Sequence, residues 1–229
     1  IRKCFSAFSV SLQTLMDANY FDVALGADDT IFYWRAFFAR NGDFDGLGHF
    51  IPYSADAVEG KNFRDSHRSL YKQLLRWGWG AVDFPLSVKT FLKNNNIEFA
   101  KKFRWVRRHI KERVVLTNIV FLITFGFAIV TLVNPYVKQS NFAYSLPKIM
   151  SFILTLTMSF MIPGVYFRKK FSIAPPKEWS RFRKFLTYFE APLITINLLT
   201  YSFFPTLHAQ TMLIFGKRFK DLYHTQKIR

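Results

Sequence analysis

Two long runs of apolar residues without a charge stand out in the second half of the chain. They cover residues 114–133 and 149–167. Each is close to the length of about 20 apolar residues that a helix needs to cross the core of a bilayer. Both runs therefore predict transmembrane helices, and Pro163 and Gly164 are expected near the end of the second. A buried core helix is the alternative, but two neighbouring uncharged segments of this length seldom occur in one soluble domain.

A third apolar stretch, residues 185–216, is interrupted by polar residues and prolines. We expect a bent or re-entrant helical pair that returns to the cytoplasmic face, with breaks at Pro192 and Pro205. Glu190 and His208 are candidates for functional groups inside the membrane, although a position at a helix end near the interface is the simpler interpretation. The interruptions are Glu190, Pro192, Asn197, Pro205, His208 and Gln210.

The distribution of basic residues predicts the orientation of these segments. Residues 101–113, before the first run, and residues 168–184, after the second, contain seven Lys and Arg each, whereas the connecting loop, residues 134–148, contains two. Cytoplasmic loops of membrane proteins are enriched in Lys and Arg. We therefore expect an integral protein of the cytoplasmic membrane, with both basic segments and everything before residue 114 on the cytoplasmic side.

The composition favours a membrane protein over other basic classes of protein. The 229 residues include 32 Lys and Arg against 15 Asp and Glu, and 19% are aromatic. Such aromatic content excludes a disordered chain, and the single cysteine, Cys4, excludes an internal disulfide. Nucleic-acid binding is the usual interpretation of such a charge, but the bases flank the apolar runs, where membrane lipids account for them. We therefore expect membrane lipids, and no nucleic acid, among the partners.

The first 60 residues are predicted to alternate between helix and extended chain. Residues 12–20 and 31–39 have helical patterns, residues 41–49 form a glycine-rich turn, and residues 49–58 are predicted to be extended. Asp28, Asp29 and Thr30 precede the second helix, where their side chains can cap its first turn. A capping role without chemistry is the simpler interpretation of the two acids, because negative charge is favourable at a helix N-terminus.

A second motif occurs in SLYKQLLRWGWG, residues 69–80. Gln73, Arg76 and Trp77 are spaced i, i+3 and i+4, so a helix would present all three on one face. This face suits a sugar diphosphate, because a guanidinium binds phosphate oxygens, an amide bonds hydroxyls and an indole stacks on a sugar ring. An amphipathic helix with Arg and Trp at lipid headgroups is the alternative. His67, two residues before this segment, is either a supporting residue of the site or a solvated helix histidine.

Together the two motifs resemble those of a known enzyme family. DDTIFYWR, in which Arg35 follows Asp29 by six residues, precedes QLLRW and then the apolar runs. This order is similar to the C-terminal part of processive-type, membrane-integrated family 2 glycosyltransferases, which carry an acidic pair, usually Glu-Asp, and then a Q(Q/R)xRW-type signature. Asp28 departs from the usual Glu. The closing YHTQKIR also resembles the threonine-lysine tail common in this group.

The resemblance implies a fold class and a division into domains. It implies that residues 1–84 are the C-terminal part of an α/β (GT-A-like) glycosyltransferase domain. Residues 85–113 would be a basic amphipathic interfacial segment, and residues 114–229 an α-helical membrane region with at least two transmembrane helices. The nucleotide-binding half would lie upstream of this chain. A divalent metal, Mg²⁺ or Mn²⁺, is implied as cofactor, with its Asp-x-Asp ligands in that upstream half and none here.

The implied activity is transfer of a sugar, with inversion, from a nucleotide-sugar donor to a hydroxyl of a glycan or lipid acceptor. It would occur at the cytoplasmic membrane face, in cell-envelope or extracellular polysaccharide synthesis. By resemblance, Asp29 would be the catalytic base, with Asp28 beside it. Arg76 would offset the charge of the departing diphosphate, and Gln73 and Trp77 would line the acceptor pocket. The alternative is a non-catalytic membrane scaffold or transport component.

Overall fold

The computed structural model describes residues 8–22, 27–48, 58–171, 175–187, 193 and 196–217. Helices form the regular secondary structure of these ranges, which contain no strand. The chain divides into two compact units, one of Ile1–Val115 with Phe204–Arg229 and one of Leu116–Phe203. The predicted extended segment, apart from its last residue, lies outside the described ranges, and the α/β character expected for residues 1–84 is not seen within them.

Helices α1 to α5 and α10 supply the helical structure of the first unit, and α6 to α9 that of the second. A 3₁₀ turn, Gly80–Val82, joins α3 to α4, and π-helical turns precede α6 (Lys111–Val115) and α10 (Leu198–Ser202). In chain order the helices are α1 (Leu12–Asp17), α2 (Asp28–Ala39), α3 (Phe63–Trp79), α4 (Asp83–Lys93), α5 (Phe99–Ile110), α6 (Leu116–Val133), α7 (Asn141–Ser159), α8 (Met161–Phe171), α9 (Arg181–Leu186) and α10 (Phe203–Ile214).

Helix α1 is shorter than the pattern of residues 12–20 predicts. It begins after Ser11, whose hydroxyl accepts a hydrogen bond from the Thr14 backbone N–H at 3.2 Å. It ends at Asp17, because Asn19 and Tyr20 have φ angles of 55° and 59°, in the left-handed region that cannot continue a right-handed helix. Hydrogen bonds from the Gln13 amide and the Arg40 guanidinium lower the pKa of the Asp17 carboxyl.

Helix α2 begins three residues earlier than the predicted segment 31–39, and it is buried on most of its surface. A helix that is apolar nearly all round belongs in a core. One side packs against α4 and α5, in a cluster that we call the aromatic core. The aromatic core consists of Tyr33, Trp34, Phe37, Phe91, Ile97 and Trp105.

Edge-to-face contacts join the rings of the aromatic core. The centroid of Trp34 lies 4.8 Å from that of Trp105 of α5 and 5.8 Å from that of Phe91 of α4, with interplanar angles of 69° and 86°. Aromatic rings prefer this arrangement because the positive edge of one meets the negative face of the other. Residues 85–113 therefore contribute to the same packed unit as the described part of residues 1–84, and their expected role as an interfacial segment stays a prediction.

Two helices are long and apolar enough to cross a membrane, as the two uncharged runs predict. They extend over Phe99–Val133 and Ala143–Phe167. In their most apolar windows, only 6% and 0% of the residues are buried within the chain. A core helix of a soluble protein would be mostly buried, so the exposure of these helices argues against that alternative.

The second of these helices differs from its predicted bounds of 149–167. Its first segment, helix α7, begins at Asn141, because the Ser140 hydroxyl caps α7 by accepting a hydrogen bond from the Ala143 N–H at 3.1 Å. Pro163 and Gly164, which were expected near the end of the run, lie inside α8, which continues to Phe171, and the helix is interrupted earlier, at Phe160, between α7 and α8. Pro163 is the third residue of α8, and proline is tolerated in a first turn because the N–H groups there lack an intrahelical partner.

The third apolar stretch contains a π-helical turn, Leu198–Ser202, that continues directly into α10. Pro205 is the third residue of α10 and follows this turn by three residues. A proline has no N–H to donate and its ring clashes with the carbonyl four residues earlier, here Tyr201. Among the described residues the helix is therefore widened just before Pro205, without being broken there. Pro192 and Glu190, which were the other expected break and the candidate acid, lie outside the described residues.

The aromatic core generates a prediction about stability. Phe91 is 3% exposed, whereas the next residue, Leu92, is 80% exposed. Phe91→Ala removes a ring that packs against α2, and we expect it to lower the free energy of unfolding by about 3 to 5 kcal/mol. Leu92→Ala is the matched control and should cost less than about 0.5 kcal/mol. Thermal unfolding of the two purified variants in detergent measures the difference, and equal melting temperatures would contradict this packing.

Candidate functional site

The acidic pair occupies the first two positions of α2. Asp28 is exposed and Asp29 is partly buried. Asp29 Oδ1 accepts hydrogen bonds from the Thr30 backbone N–H at 2.6 Å and from the Thr30 hydroxyl at 3.2 Å. The N-cap residue is Ala27, whose side chain makes no capping hydrogen bond. The acids therefore contribute to the first turn of the helix from within it, instead of capping it from the position before.

Helix α3 carries the second motif and has a well-formed N-terminus. The Asn62 side chain accepts a hydrogen bond from the Asp65 N–H at 2.9 Å, and the Asp65 carboxylate accepts one from the Lys61 N–H at 3.1 Å. This exchange satisfies N–H groups at the start of a helix. A side chain at Gly60 would come within 2.6 Å of the Ser66 nitrogen, so this entry to α3 requires glycine. The capping fixes where the helix begins.

Gln73, Arg76 and Trp77 lie on α3 at the helical spacing that the sequence predicts. Gln73 and Arg76 are partly buried, whereas Trp77 is 59% exposed. Trp79, two residues later, is only 4% exposed. The two tryptophans of this short sequence therefore have opposite roles, because Trp79 fills the core and the Trp77 indole remains available for contacts outside the unit.

Arg76 has an unusual environment for a guanidinium. Its Nε atom is buried and has no hydrogen-bond acceptor within the part of the chain that the structure describes. Neither an ion pair nor a hydrogen bond joins Arg76 to either acid of the pair in those ranges. Arg76 lies in the last turn of α3, where the helix dipole favours a cation. A buried donor without an acceptor costs about 1 to 3 kcal/mol, so a ligand with acceptor oxygens is favourable here.

Helix α10 packs directly on α3 next to these residues. A side-chain carbon at Gly78 would lie 3.0 Å from Thr206 Cα and 3.1 Å from Ala209 Cβ. About two turns earlier on α3, the Tyr71 hydroxyl is 3.1 Å from His208 Nδ1. His208, for which both an intramembrane role and a place at the interface were considered, is therefore a partner of the helix that carries Gln73 and Arg76.

Helix α10 also contacts the start of α2. Ala27 and Ile31 form a small apolar cluster with Val82, and Leu213 of α10 packs against it. The residues that flank the acidic pair and those that follow the second motif therefore meet at the same helix. The fold assembles the two motifs in one unit through α10, although no hydrogen bond or ion pair links Asp28 or Asp29 to Gln73 or Arg76 in the described ranges.

A buried polar network lies directly after the second motif, and the sequence patterns did not reveal it. Asp83 is fully buried, and its Oδ2 accepts a hydrogen bond from Arg113 Nη2 at 3.1 Å. Arg113 Nη2 also donates to the Gly80 carbonyl at 3.3 Å, and the Arg113 carbonyl accepts from Gln210 Nε2 at 2.9 Å. Arg113 thus ties the end of α3 to α4 and α10. The partners in these contacts are separated by between 30 and 97 positions in the sequence. Spacing within a single helix therefore could not have predicted them.

Two fully buried residues extend this network into α5. The Ser87 hydroxyl is 3.2 Å from His109 Nε2, and His109 Nδ1 is 3.9 Å from Asp83 Oδ1. All three residues are 0% exposed, so no substrate reaches them and the arrangement is structural. His67, the other histidine considered, packs edge-to-face on Phe63 with ring centroids 4.1 Å apart.

No metal site is formed by the described residues. Those ranges contain no group of three or more His, Cys, Asp or Glu that could hold a metal ion. Asp83 and His109 are engaged with Arg113 and Ser87, and Asp28 and Asp29 stand without a third ligand. The described residues therefore form no site for the Mg²⁺ or Mn²⁺ that the family resemblance implies.

Comparisons of the chain with models of known protein families, with curated proteins and with solved structures gave no match.

Proposed function

We propose that this chain carries the acceptor-side and signature residues of an inverting glycosyltransferase. The enzyme would move a sugar from a nucleotide-sugar donor to an acceptor hydroxyl at the cytoplasmic face of a membrane. The observation that carries the proposal is the environment of Arg76, which has a buried donor without an acceptor in the described ranges. Trp77, on the same helix face, is exposed. A leaving diphosphate supplies oxygens to the guanidinium, and a sugar ring supplies a surface for the indole.

In this reaction the acceptor hydroxyl attacks the anomeric carbon while the bond from that carbon to the diphosphate breaks. The hydroxyl proton must pass to a base within hydrogen-bond reach. Asp29 suits this role because Thr30 holds one carboxylate oxygen, Oδ1, through two hydrogen bonds. The other oxygen, Oδ2, accepts no hydrogen bond within the described ranges and can receive the proton. Asp28, which is exposed, would act only through its charge.

Arg76 would stabilise the negative charge that collects on the departing diphosphate. A cation that is already in place, in a site that excludes water, stabilises such charge more than one in bulk solvent. The packing of Gly78 against α10 supports this role, because it immobilises the backbone two residues after Arg76. Gln73, one turn earlier, would donate to or accept from acceptor hydroxyls.

The proposed side of the membrane follows from charge. The basic segments, residues 101–113 and 168–184, flank the two candidate transmembrane helices, and such segments favour the cytoplasmic side. Donor nucleotide sugars are charged molecules, so a site for them beside a membrane must open to an aqueous compartment. A non-catalytic scaffold would have the same topology without turnover of a donor, and the substitutions below separate the two functions.

The first prediction of the proposal concerns Asp29. In the complete enzyme, Asp29→Asn should abolish sugar transfer while leaving donor affinity unchanged within a few-fold, because the amide keeps the shape but cannot accept the proton. Asp28→Asn is the matched control at the adjacent position and should reduce the rate much less. The measurements are initial rates of transfer and donor binding in nanodiscs. Normal turnover by the Asp29 variant would contradict the role as base and would leave Asp29 with a structural role only, in the first turn of α2.

The second prediction concerns the shape of the Arg76 side chain. Arg76→Lys keeps the charge but loses the planar fork that engages two phosphate oxygens. We expect a loss of about 100-fold or more in kcat, or about 3 kcal/mol, the scale of one preorganised donor. Arg64→Lys, at an exposed position of the same helix, is the control and should leave kcat unchanged. A lipid-headgroup role does not distinguish the two cations, so near wild-type activity of Arg76→Lys would exclude the catalytic assignment.

The third prediction concerns topology. With Cys4 replaced by serine, single cysteines at Gln139 and Glu178 probe exposed positions before α7 and after α8. In intact cells an impermeant maleimide should label Gln139→Cys and leave Glu178→Cys unlabelled until the membrane is opened. Expression and membrane insertion of both variants are checked on blots. The reverse pattern of labelling would invert the proposed orientation.

A further inference from the structure

Helix α3 carries a line of basic residues that the signature motif does not account for. The line, which we call the basic ridge, consists of Arg64, Arg68, Lys72 and Arg76, at intervals of four residues. Side chains four positions apart are neighbours on a helix surface, and each step turns the line by about 40° around the helix axis. The basic ridge therefore rises by about 18 Å along α3 and ends at Arg76.

The outer end of the basic ridge is exposed and unpaired. The guanidinium groups of Arg64 and Arg68 have no ion pair or hydrogen bond within the described ranges. Asp65 is the one acid of α3, all of whose residues are described, and its carboxylate accepts a hydrogen bond from the Lys61 N–H. Like charges at this spacing repel each other, and a cation at the start of a helix opposes the helix dipole. The outer ridge is thus unfavourable for α3 itself, and a bound anion would offset this cost.

The inner end of the basic ridge meets the face of the signature motif. The Nε atom of Arg76 is buried without an acceptor in the described ranges, and Gln73 and Trp77 lie within about 100° of Arg76 around the helix. The charges of a diphosphate are on adjacent phosphates, so a diphosphate bound at Arg76 cannot also reach Arg64, about 18 Å away along the helix. A ligand that contacts the whole ridge must carry negative charges repeated along its length.

We infer that the acceptor is an acidic glycan, whose anionic groups lie along Arg64, Arg68 and Lys72. The inference rests on the proposed function, in which Gln73 and Trp77 contact the acceptor, and it adds the chemical class of that acceptor. The basic ridge leads to an amide that can bond sugar hydroxyls and to an exposed indole that can stack on a sugar ring. An acidic sugar chain supplies the hydroxyls, the ring faces and the repeated charge together.

Binding of labelled oligosaccharides to the full-length protein tests the inference without requiring turnover. The probes are a hexasaccharide of galacturonic acid and the neutral maltohexaose, each with the same fluorophore, and anisotropy is measured with the protein in phosphatidylcholine nanodiscs. We expect about tenfold tighter binding of the acidic probe at low salt, and loss of this preference at high salt, which screens exposed charges. Arg64→Gln with Arg68→Gln should weaken binding of the acidic probe by about fivefold and leave the neutral probe unaffected.

Two further double variants are matched controls. Arg64→Lys with Arg68→Lys keeps the charge of the ridge and should retain affinity for the acidic probe within about twofold, in line with the unchanged kcat expected for Arg64→Lys alone. Lys89→Gln with Lys93→Gln removes two exposed cations at the same spacing from α4 and should preserve the preference for the acidic probe. Melting temperatures in detergent confirm that all variants are folded.

The inference is overturned if the wild type binds both hexasaccharides equally, or if the glutamine variant of α3 keeps the preference for the acidic probe. It is also overturned if a single-stranded RNA hexamer binds more tightly than the acidic probe and depends on the same two arginines, because the basic ridge would then be a nucleic-acid site. Failure of the proposed catalysis has a different signature: normal turnover by Asp29→Asn removes the assigned base and leaves the charge preference in binding unchanged.

Discussion

Burial of α2 on most of its surface is the constraint on which the first unit depends. Half of its twelve residues are buried: Ile31, Phe32, Tyr33, Trp34, Ala36 and Phe37. Aromatic side chains of this size must be enclosed from several directions, so α4 and α5 cover one side and residues around α1 cover another. The N-terminal end of α2 remains partly open, and that end carries Asp28 and Asp29. The core thus holds the two acids at the surface by fixing the helix behind them.

The helix that carries the second motif is fixed by a different kind of contact. Gly78 permits α10 to approach the α3 backbone closely, and Arg113 binds the carbonyl of Gly80 and the buried carboxylate of Asp83. Removing one partner from such a buried pair leaves an uncompensated charge, which costs several kcal/mol. These contacts lie at and after the C-terminal end of α3, so they anchor Arg76 and Trp77 without using the side chains of either residue.

The sequence predicted correctly those features that depend only on residues close together in the chain. The two apolar helices follow from uncharged runs, and Gln73, Arg76 and Trp77 share a face because helical spacing requires it. The predicted ends of the apolar helices were less accurate. The start of α7 depends on the single hydroxyl of Ser140, and the interruption at Phe160 occurs without a proline that would have marked it in the sequence. Contacts such as Gln210 with the Arg113 carbonyl join residues far apart in sequence, and no periodicity or spacing encodes them.

Helix α5 cannot bury all of its aromatic side chains in one core. Phe103 and Trp105 are two positions apart, which separates their side chains by about 200° around a helix, so both rings cannot enter the same core. Trp105 takes the place against Trp34, and Phe103 must find a second apolar environment or remain in water. Its neighbour on the outer face is the Phe99 ring, with centroids 6.4 Å apart and an interplanar angle of 22°. This contact covers only part of either ring, since Phe99 and Phe103 are 79% and 59% exposed. The helix therefore keeps apolar surface outside the aromatic core because side chains two positions apart point in nearly opposite directions.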